Sequence, residues 1–187
     1  MTKQEPKGWY SRGYLPHFDS PDTIQHVVFR TFGSLPAAVI AALPVDPASK
    51  QSAIDAHLDD LTCGNVLADP AVAKMVEDTM FHFDGERYGL LAWCVMPNHV
   101  HAVVQQRDGC NLGSVVKSWK VASTRHFNLR HGTSGSLWAL DFYDRFMRNE
   151  NHLAQTLGYV EANPVRAGLV RFASDWRFSS ARHRALT

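Results

Sequence analysis

The stretch 88–106, YGLLAWCVMPNHVHAVVQQ, decides the fold. Tyr88–Met96 is an apolar run of strand length, Pro97-Asn98 is a turn signal, and His99–Gln106 alternates with a period of two. Two such runs joined by a short turn read as a β-hairpin. Side chains at i and i+2 of a strand share a face. His99 and His101 therefore project one way, while Val100, Ala102 and Val104 point the other way into a core. Outward from the hairpin, Thr23–Phe32 is β-branched and aromatic and reads as a strand, with a core face Val27/Phe29 and a mixed face His26/Val28/Arg30. Ser136–Phe146 reads as another strand, and Gly8–Pro21 as an extended arm. Helices are expected at Leu35–Leu43, Asp46–Asp60, Pro70–Phe83, Asn111–Arg130 and Asn151–Asn163. The order β, helices, β, β, α, β, α suits an α+β, ferredoxin-like antiparallel sheet with helices on one face. It implies a single domain, 1–187, with an N-terminal arm (1–22), a helical insertion (33–87) and a C-terminal extension (164–187).

A chain of 187 residues suits one compact domain. With 45% apolar and 20% charged residues, global disorder is excluded. No apolar run reaches the roughly 20 residues of a membrane helix, so no membrane partner is expected. Met1–Trp9 is polar and lacks a signal-peptide core, and the three cysteines are widely spaced without a CxxC pair. Both features point to a reducing cytoplasm. Net charge is +1, but unevenly spread: residues 31–110 carry 4 Lys/Arg against 10 Asp/Glu, and residues 111–187 carry 11 against 5. A basic half can serve nucleic acid even in a near-neutral protein; the same asymmetry also fits solvated charge.

Two imidazoles on one strand face can bind a divalent metal if a third ligand arrives from elsewhere. The plainer alternative is two unrelated histidines on an edge strand. In Asn151–Asn163, Leu153, Leu157 and Val160 form the apolar stripe, and His152, Thr156, Tyr159 and Asn163 lie on another face. Tyr159 and Asn163, at i and i+4, sit one turn apart. The amide oxygen can complete a metal site, and the phenol can then sit near a phosphate; an exposed tyrosine and a helix-terminal asparagine is the alternative. Because Asn163 precedes Pro164, the helix is expected to end there. A phenol, with a pKa of about 10, is a poor nucleophile at neutral pH unless activated. A divalent cation favours the phenolate and polarises the phosphoryl oxygen. Attack on a DNA phosphodiester would give a covalent phosphotyrosine and a free hydroxyl, a step reversible onto another end. Tyr10, Tyr14, Tyr88 and Tyr143 compete as nucleophile, but only Tyr159 has a helical partner able to ligate metal.

The run Met96-Pro97-Asn98-His99-Val100-His101, followed by Tyr159-x-x-x-Asn163-Pro164-Val165-x-x-Gly168, resembles the REP-associated tyrosine transposases. These are relatives of the insertion-sequence transposases within the His-hydrophobic-His (HUH) single-strand endonucleases. The opening Arg12-Gly13-Tyr14-x-Pro16-His17 and the tail Asp175-Trp176-x-Phe178-Ser179-Ser180 are similar to this group as well. The resemblance implies a ferredoxin-like HUH fold, His99, His101 and Asn163 as ligands of Mg²⁺ or Mn²⁺, and Tyr159 as nucleophile. It implies cleavage and joining of single-stranded DNA at palindromic, REP-like hairpins, that is, DNA transposition. Either a homodimer or a monomer fits the resemblance. Residues 33–87 depart from the pattern, being longer and more acidic than the resemblance would lead one to expect.

For the DNA surface, Lys117, Lys120 and Arg125 on one helix could follow a phosphate backbone, joined by Arg148 and Arg166 from the same basic half. Arg12 and Arg30 are further candidates, Arg30 as phosphate holder or as rim charge. The arm aromatics Trp9, Tyr10 and Tyr14 could stack on unpaired bases. Two other readings stay open: a non-catalytic hairpin DNA- or RNA-binding module of the same fold, and a metal-dependent phosphoesterase that uses water.

Overall fold

The computed structural model describes residues 8–11 and 16–186. In chain order the strands are β1 (Gly8–Ser11), β2 (Pro16–Asp19), β3 (Ile24–Arg30), β4 (Tyr88–Val95), β5 (His99–Gln106) and β6 (Tyr143–Phe146). The helices are α1 (Ala37–Ala41), α2 (Pro47–Asp59), α3 (Pro70–Phe81), α4 (Leu112–His131), α5 (Glu150–Arg166) and α6 (Ser180–Leu186). Side-chain caps start the long helices: Asp46 accepts from Ser49 N, Asp69 from Ala71 N, Asn111 from Ser114 N and Asn149 from His152 N.

Strands β4, β5, β3 and β6 form one sheet in that order, with every pairing antiparallel. The α+β ferredoxin-like class is therefore the observed one. The helices, however, lie on both faces rather than one. Val27, Phe29, Val100, Ala102 and Val104 meet α3 and α4 through Val72, Val76, Met80, Val115, Val116 and Trp119. On the other face Ala92, Cys94 and Val103 meet α5 through Val160, Leu153 and Leu157. The period-two alternation of β5 places apolar residues on both faces, so both need a cover. Within the expected insertion 33–87, α3 is part of the main core, and α1 and α2 stand outside it. They form a small cluster of Leu35, Ile54 and Leu58 of their own.

Three local expectations change. The arm is a two-stranded hairpin, β1 on β2, laid against β6. The expected strand Ser136–Phe146 is a strand only over Tyr143–Phe146, preceded by the single bridge Thr31–Trp138. Its carbonyls at Ala139, Leu140 and Asp141 accept from the Lys120 ammonium at 3.0, 3.3 and 2.9 Å, in place of a ladder. Helix α5 runs through Pro164 to Arg166 instead of stopping at Asn163. Proline removes the N–H that would serve the Val160 carbonyl. The Asn163 amide substitutes for it, donating to Tyr159 O at 2.9 Å and Val160 O at 3.4 Å. Among the described residues no helix is long and apolar enough to cross a membrane.

Candidate active site

Strand β5 carries His99 and His101 on the α5 face, and its register sets Arg30 of β3 opposite His99 and Val28 opposite His101. Both imidazoles are fully buried. His26, on the same face of β3, completes a row of three rings. His26 Nε2 lies 3.0 Å from His101 Nδ1, and His101 Nε2 lies 2.9 Å from His99 Nε2. The row ends on Asn98, whose Oδ1 is 2.7 Å from His99 Nδ1. The Asn98 amide nitrogen donates to the carbonyls of Leu58 and Cys63, at 3.1 and 3.3 Å, so its oxygen must face the ring. An amide oxygen only accepts. His99 therefore keeps its proton on Nδ1 and presents a lone pair at Nε2. Burial pushes His99 down to about 3 and His26 to about 4, with neighbouring charges adding to the effect, and holds His101 well below the usual histidine range. The row is neutral at physiological pH.

Helix α5 delivers Tyr159 beside this row. Its ring centroid is 5.7 Å from that of His101 and 6.0 Å from that of His26, edge-on to both. The Arg166 guanidinium lies 4.6 Å above the Tyr159 ring. The phenol hydroxyl donates to Asp55 Oδ2 of α2 at 3.3 Å. Burial raises the phenol pKa and the Asp55 charge raises it further, while Arg166 opposes both. One turn along, Asn163 is fully buried, and its Oδ1 has no hydrogen-bond partner among the described residues. Asp59 of α2 places Oδ1 4.0 Å from His99 Nε2. Among the described residues no three His, Cys, Asp or Glu side chains are gathered to hold one ion. Two oxygens could join the imidazole pair around an ion: the orphaned Asn163 Oδ1, and Asp59 Oδ1 beside His99.

A cleft of about 700 Å³ opens from Tyr159 and His26 and is lined by Asp55, Asp59, Arg145, Arg148, Arg166 and, at its far end, Trp9. Trp9 is 64% exposed and leans on Phe18 and Phe146, at centroid distances of 5.1 and 6.0 Å. Of the proposed DNA contacts, then, Trp9, Arg148 and Arg166 are gathered here. Tyr10 instead packs on the His17 ring at 5.3 Å. Arg30 reaches Ser34 Oγ at 3.4 Å, away from the cleft lining. Lys117, Lys120 and Arg125 sit on α4, across the sheet from Tyr159. Lys120 is turned inward onto three carbonyls, so its ammonium is not offered to a phosphate. Arg12 and Tyr14 lie outside the described residues. Of the competing tyrosines, Tyr88 spends its hydroxyl on Met80 O at 2.5 Å and accepts from Trp119 Nε1 at 2.7 Å. Tyr143 does line the cleft, 6.4 Å from the His26 ring.

Residues 67–163 match the family described as Transposase IS200 like, a span of more than half the chain. The chain belongs to the IS200-like transposase family. The REP-associated tyrosine transposase of Escherichia coli K12 is 27% identical over 111 residues, 59% of this chain and 60% of that one. A Haemophilus influenzae protein provisionally given the same name is 27% identical over 100 residues, 48% of this chain and 57% of its own length. The chain thus spans under two thirds of the length of these curated relatives. The fold matches that of a REP-associated tyrosine transposase solved with a REP hairpin, at a TM-score of 0.65 and 17% identity, over 91% of this chain and 82% of that one. The matched segment of this IS200-like transposase contains His99, His101, Tyr159 and Asn163, and it excludes α2.

That exclusion marks what the sequence reading missed. Gln51, Asp55 and Asp59 recur at four-residue intervals on α2, which puts them on one helix face. The spacing was available as a signal; what it faced was not.

Proposed function

We propose that this IS200-like transposase cleaves and rejoins single-stranded DNA beside hairpin-forming sequences, with Tyr159 forming a covalent phosphotyrosine. The observation that carries this reading is the approach of the Tyr159 ring to His101, 5.7 Å between centroids, which sets the phenol beside the His99–His101 pair and on the wall of a cleft that Arg145, Arg148 and Arg166 also line. The names of the two curated relatives, REP-associated tyrosine transposases, and the REP hairpin bound by the structural neighbour support hairpin DNA as the substrate class.

The donor set fits a divalent cation: a lone pair at His99 Nε2, a second imidazole nitrogen 2.9 Å away, and an orphaned, buried Asn163 Oδ1. His99, His101 and Asn163 would hold Mg²⁺ or Mn²⁺, which supplies Lewis-acid polarisation of a phosphoryl oxygen. The remaining work belongs to the chain. Asn98 fixes the His99 tautomer. His26 faces His101 Nδ1 and, by accepting its proton there, frees His101 Nε2 as a lone pair. Arg166 and Arg148 flank the phenol with positive charge for the phosphodiester. Trp9 offers a ring face to an unpaired base at the cleft's end.

The test is a denaturing protein gel after incubation with labelled single-stranded hairpin DNA from sequence flanking the gene, with Mn²⁺. The parent and Tyr143→Phe should form a protein–DNA adduct; Tyr159→Phe should form none while still retarding the hairpin. Cleavage without any adduct would replace this reading with attack by water, and an adduct that survives in Tyr159→Phe would discard the nucleophile.

A further inference from the structure

The structure assigns to Asp55, on the inserted helix α2, the role of general base for Tyr159. This rests on the reading of Tyr159 as nucleophile and adds the group that takes its proton. Three observations carry it. The phenol hydroxyl donates to Asp55 Oδ2 at 3.3 Å, the one hydrogen bond recorded for it among the described residues. The other carboxylate oxygen is fixed from behind, Gln51 Nε2 donating to Asp55 Oδ1 at 2.7 Å. Gln51 is itself buried and sits one turn earlier on the same helix. Nucleophile, base and a third group that aims the base form the arrangement expected for an activated hydroxyl.

The chemistry requires such a group. An ordinary phenol holds almost no free phenolate at neutral pH. A carboxylate in contact lets the proton leave as the new bond forms, with no net charge created in the pocket. In the step, the Tyr159 proton passes to Asp55 Oδ2 as the Oη–P bond forms. The P–O bond to the departing strand breaks, and the departing oxygen takes a proton from water. On rejoining, a strand hydroxyl attacks phosphorus and gives its proton to water, the Oη–P bond breaks, and protonated Asp55 returns a proton to the departing Tyr159 oxygen. Burial lifts Asp55 to about 6, with Asp59 adding and Gln51, Tyr159 and Arg166 opposing. A base in that range is charged at physiological pH yet protonated readily. Tyr143 is the remaining titratable group that feels Asp55 from β6.

The experiment compares parent, Asp55→Asn, Asp55→Glu and Tyr159→Phe in single-turnover cleavage of one hairpin substrate from pH 5 to 9. The expected result for Asp55→Asn is a loss of about 10²–10⁴-fold in cleavage rate, hairpin affinity within twofold of the parent, and disappearance of the inflection near pH 6. Asp55→Glu should recover part of the rate. Parent-like cleavage in Asp55→Asn, faster cleavage, or a pH profile that keeps its inflection near 6 overturns the assignment while leaving Tyr159 as nucleophile. An adduct that persists in Tyr159→Phe overturns both.

Discussion

His17 should make the protein lose stability as the pH rises through neutrality. Its Nδ1 faces Asp144 Oδ1 and its Nε2 faces Asp141 Oδ1 at 3.1 Å, with the imidazole fully buried. Both ring nitrogens meet carboxylate oxygens, so both must donate and the ring is an imidazolium. Burial alone would lower its pKa; the hydrogen bonds and charges of Asp141 and Asp144 outweigh that and raise it to about 9. A folded-state pKa above the unfolded value of 6.5 contributes stability fully below about pH 6.5. That stability is lost as pH climbs towards 9, because the unfolded chain releases its proton first. The slope is about 1.4 kcal/mol per pH unit, hence about 2 kcal/mol between pH 6.5 and 8 and about 3 kcal/mol in full. The useful window closes near pH 8. There Lys120, lowered to about 8 by burial, begins to act in the opposite sense, since the unfolded lysine holds its proton longer than the folded one. Urea unfolding of the parent and His17→Gln at pH 6.5, 7, 7.5 and 8 checks this. His26, His99, His101 and Lys120, whose pKa values are all lowered in the fold, act in the opposite sense in both proteins, so the measure is the difference: the parent's unfolding free energy relative to the variant's should fall by about 2 kcal/mol across the series. Parallel profiles would refute the imidazolium, and with it the charged clamp that ties the β1–β2 hairpin to the sheet.

Two other perturbations test the fold around the cleft. Lys120→Met strips an ammonium from three carbonyls and should cost roughly 2–3 kcal/mol in denaturant unfolding. It should leave hairpin affinity and its salt dependence as they were; a salt slope reduced by about one unit would restore Lys120 as a phosphate contact. Gly64 has φ +72, and a Cβ there would stand 2.7 Å from the Ser34 Cα. Gly64→Ala should therefore destabilise by at least about 2 kcal/mol, and a change under about 0.5 kcal/mol would show that the loop closing α2 onto β3 is loosely held.

The central hairpin was legible because two signals coincided: a period-two pattern from His99 to Gln106 and a Pro-Asn turn ahead of it. Local rules also placed the four sheet strands, α3, α4 and the pairing of Tyr159 with Asn163. The misreadings share a cause. Lys120 looked like a surface cation because three residues along a helix say nothing of carbonyls that arrive 19 to 21 positions later. Ser136–Phe142 looked like strand because its backbone needs were met by that same side chain, which strand propensity does not register. The stop at Asn163 failed because Asn163 itself repairs the bond that Pro164 removes. In each case a long side chain took over a backbone role, and neither pattern nor propensity encodes such a substitution.

Helix α2 shows the same limit on the scale of function. As sequence it was an acidic departure lying before a basic half, and a carboxylate beside a phosphodiester is repulsive if it only carries charge. In the fold, Asp55 is 104 positions from the hydroxyl it touches, and Asp59 faces His99. Both carboxyls are raised above the usual range, burial being the largest cause, and Arg166 stands opposite as the compensating cation. A carboxylate held in that state still carries its charge at physiological pH, and the Arg166 guanidinium offsets its repulsion of a phosphate. The acidity of the insertion is therefore compatible with a phosphodiester in the cleft where a cation stands beside the carboxylates. On the proposed reaction Asp55 would take the Tyr159 proton only as the Oη–P bond forms, and its charge would leave the cleft at the moment the phosphodiester is engaged.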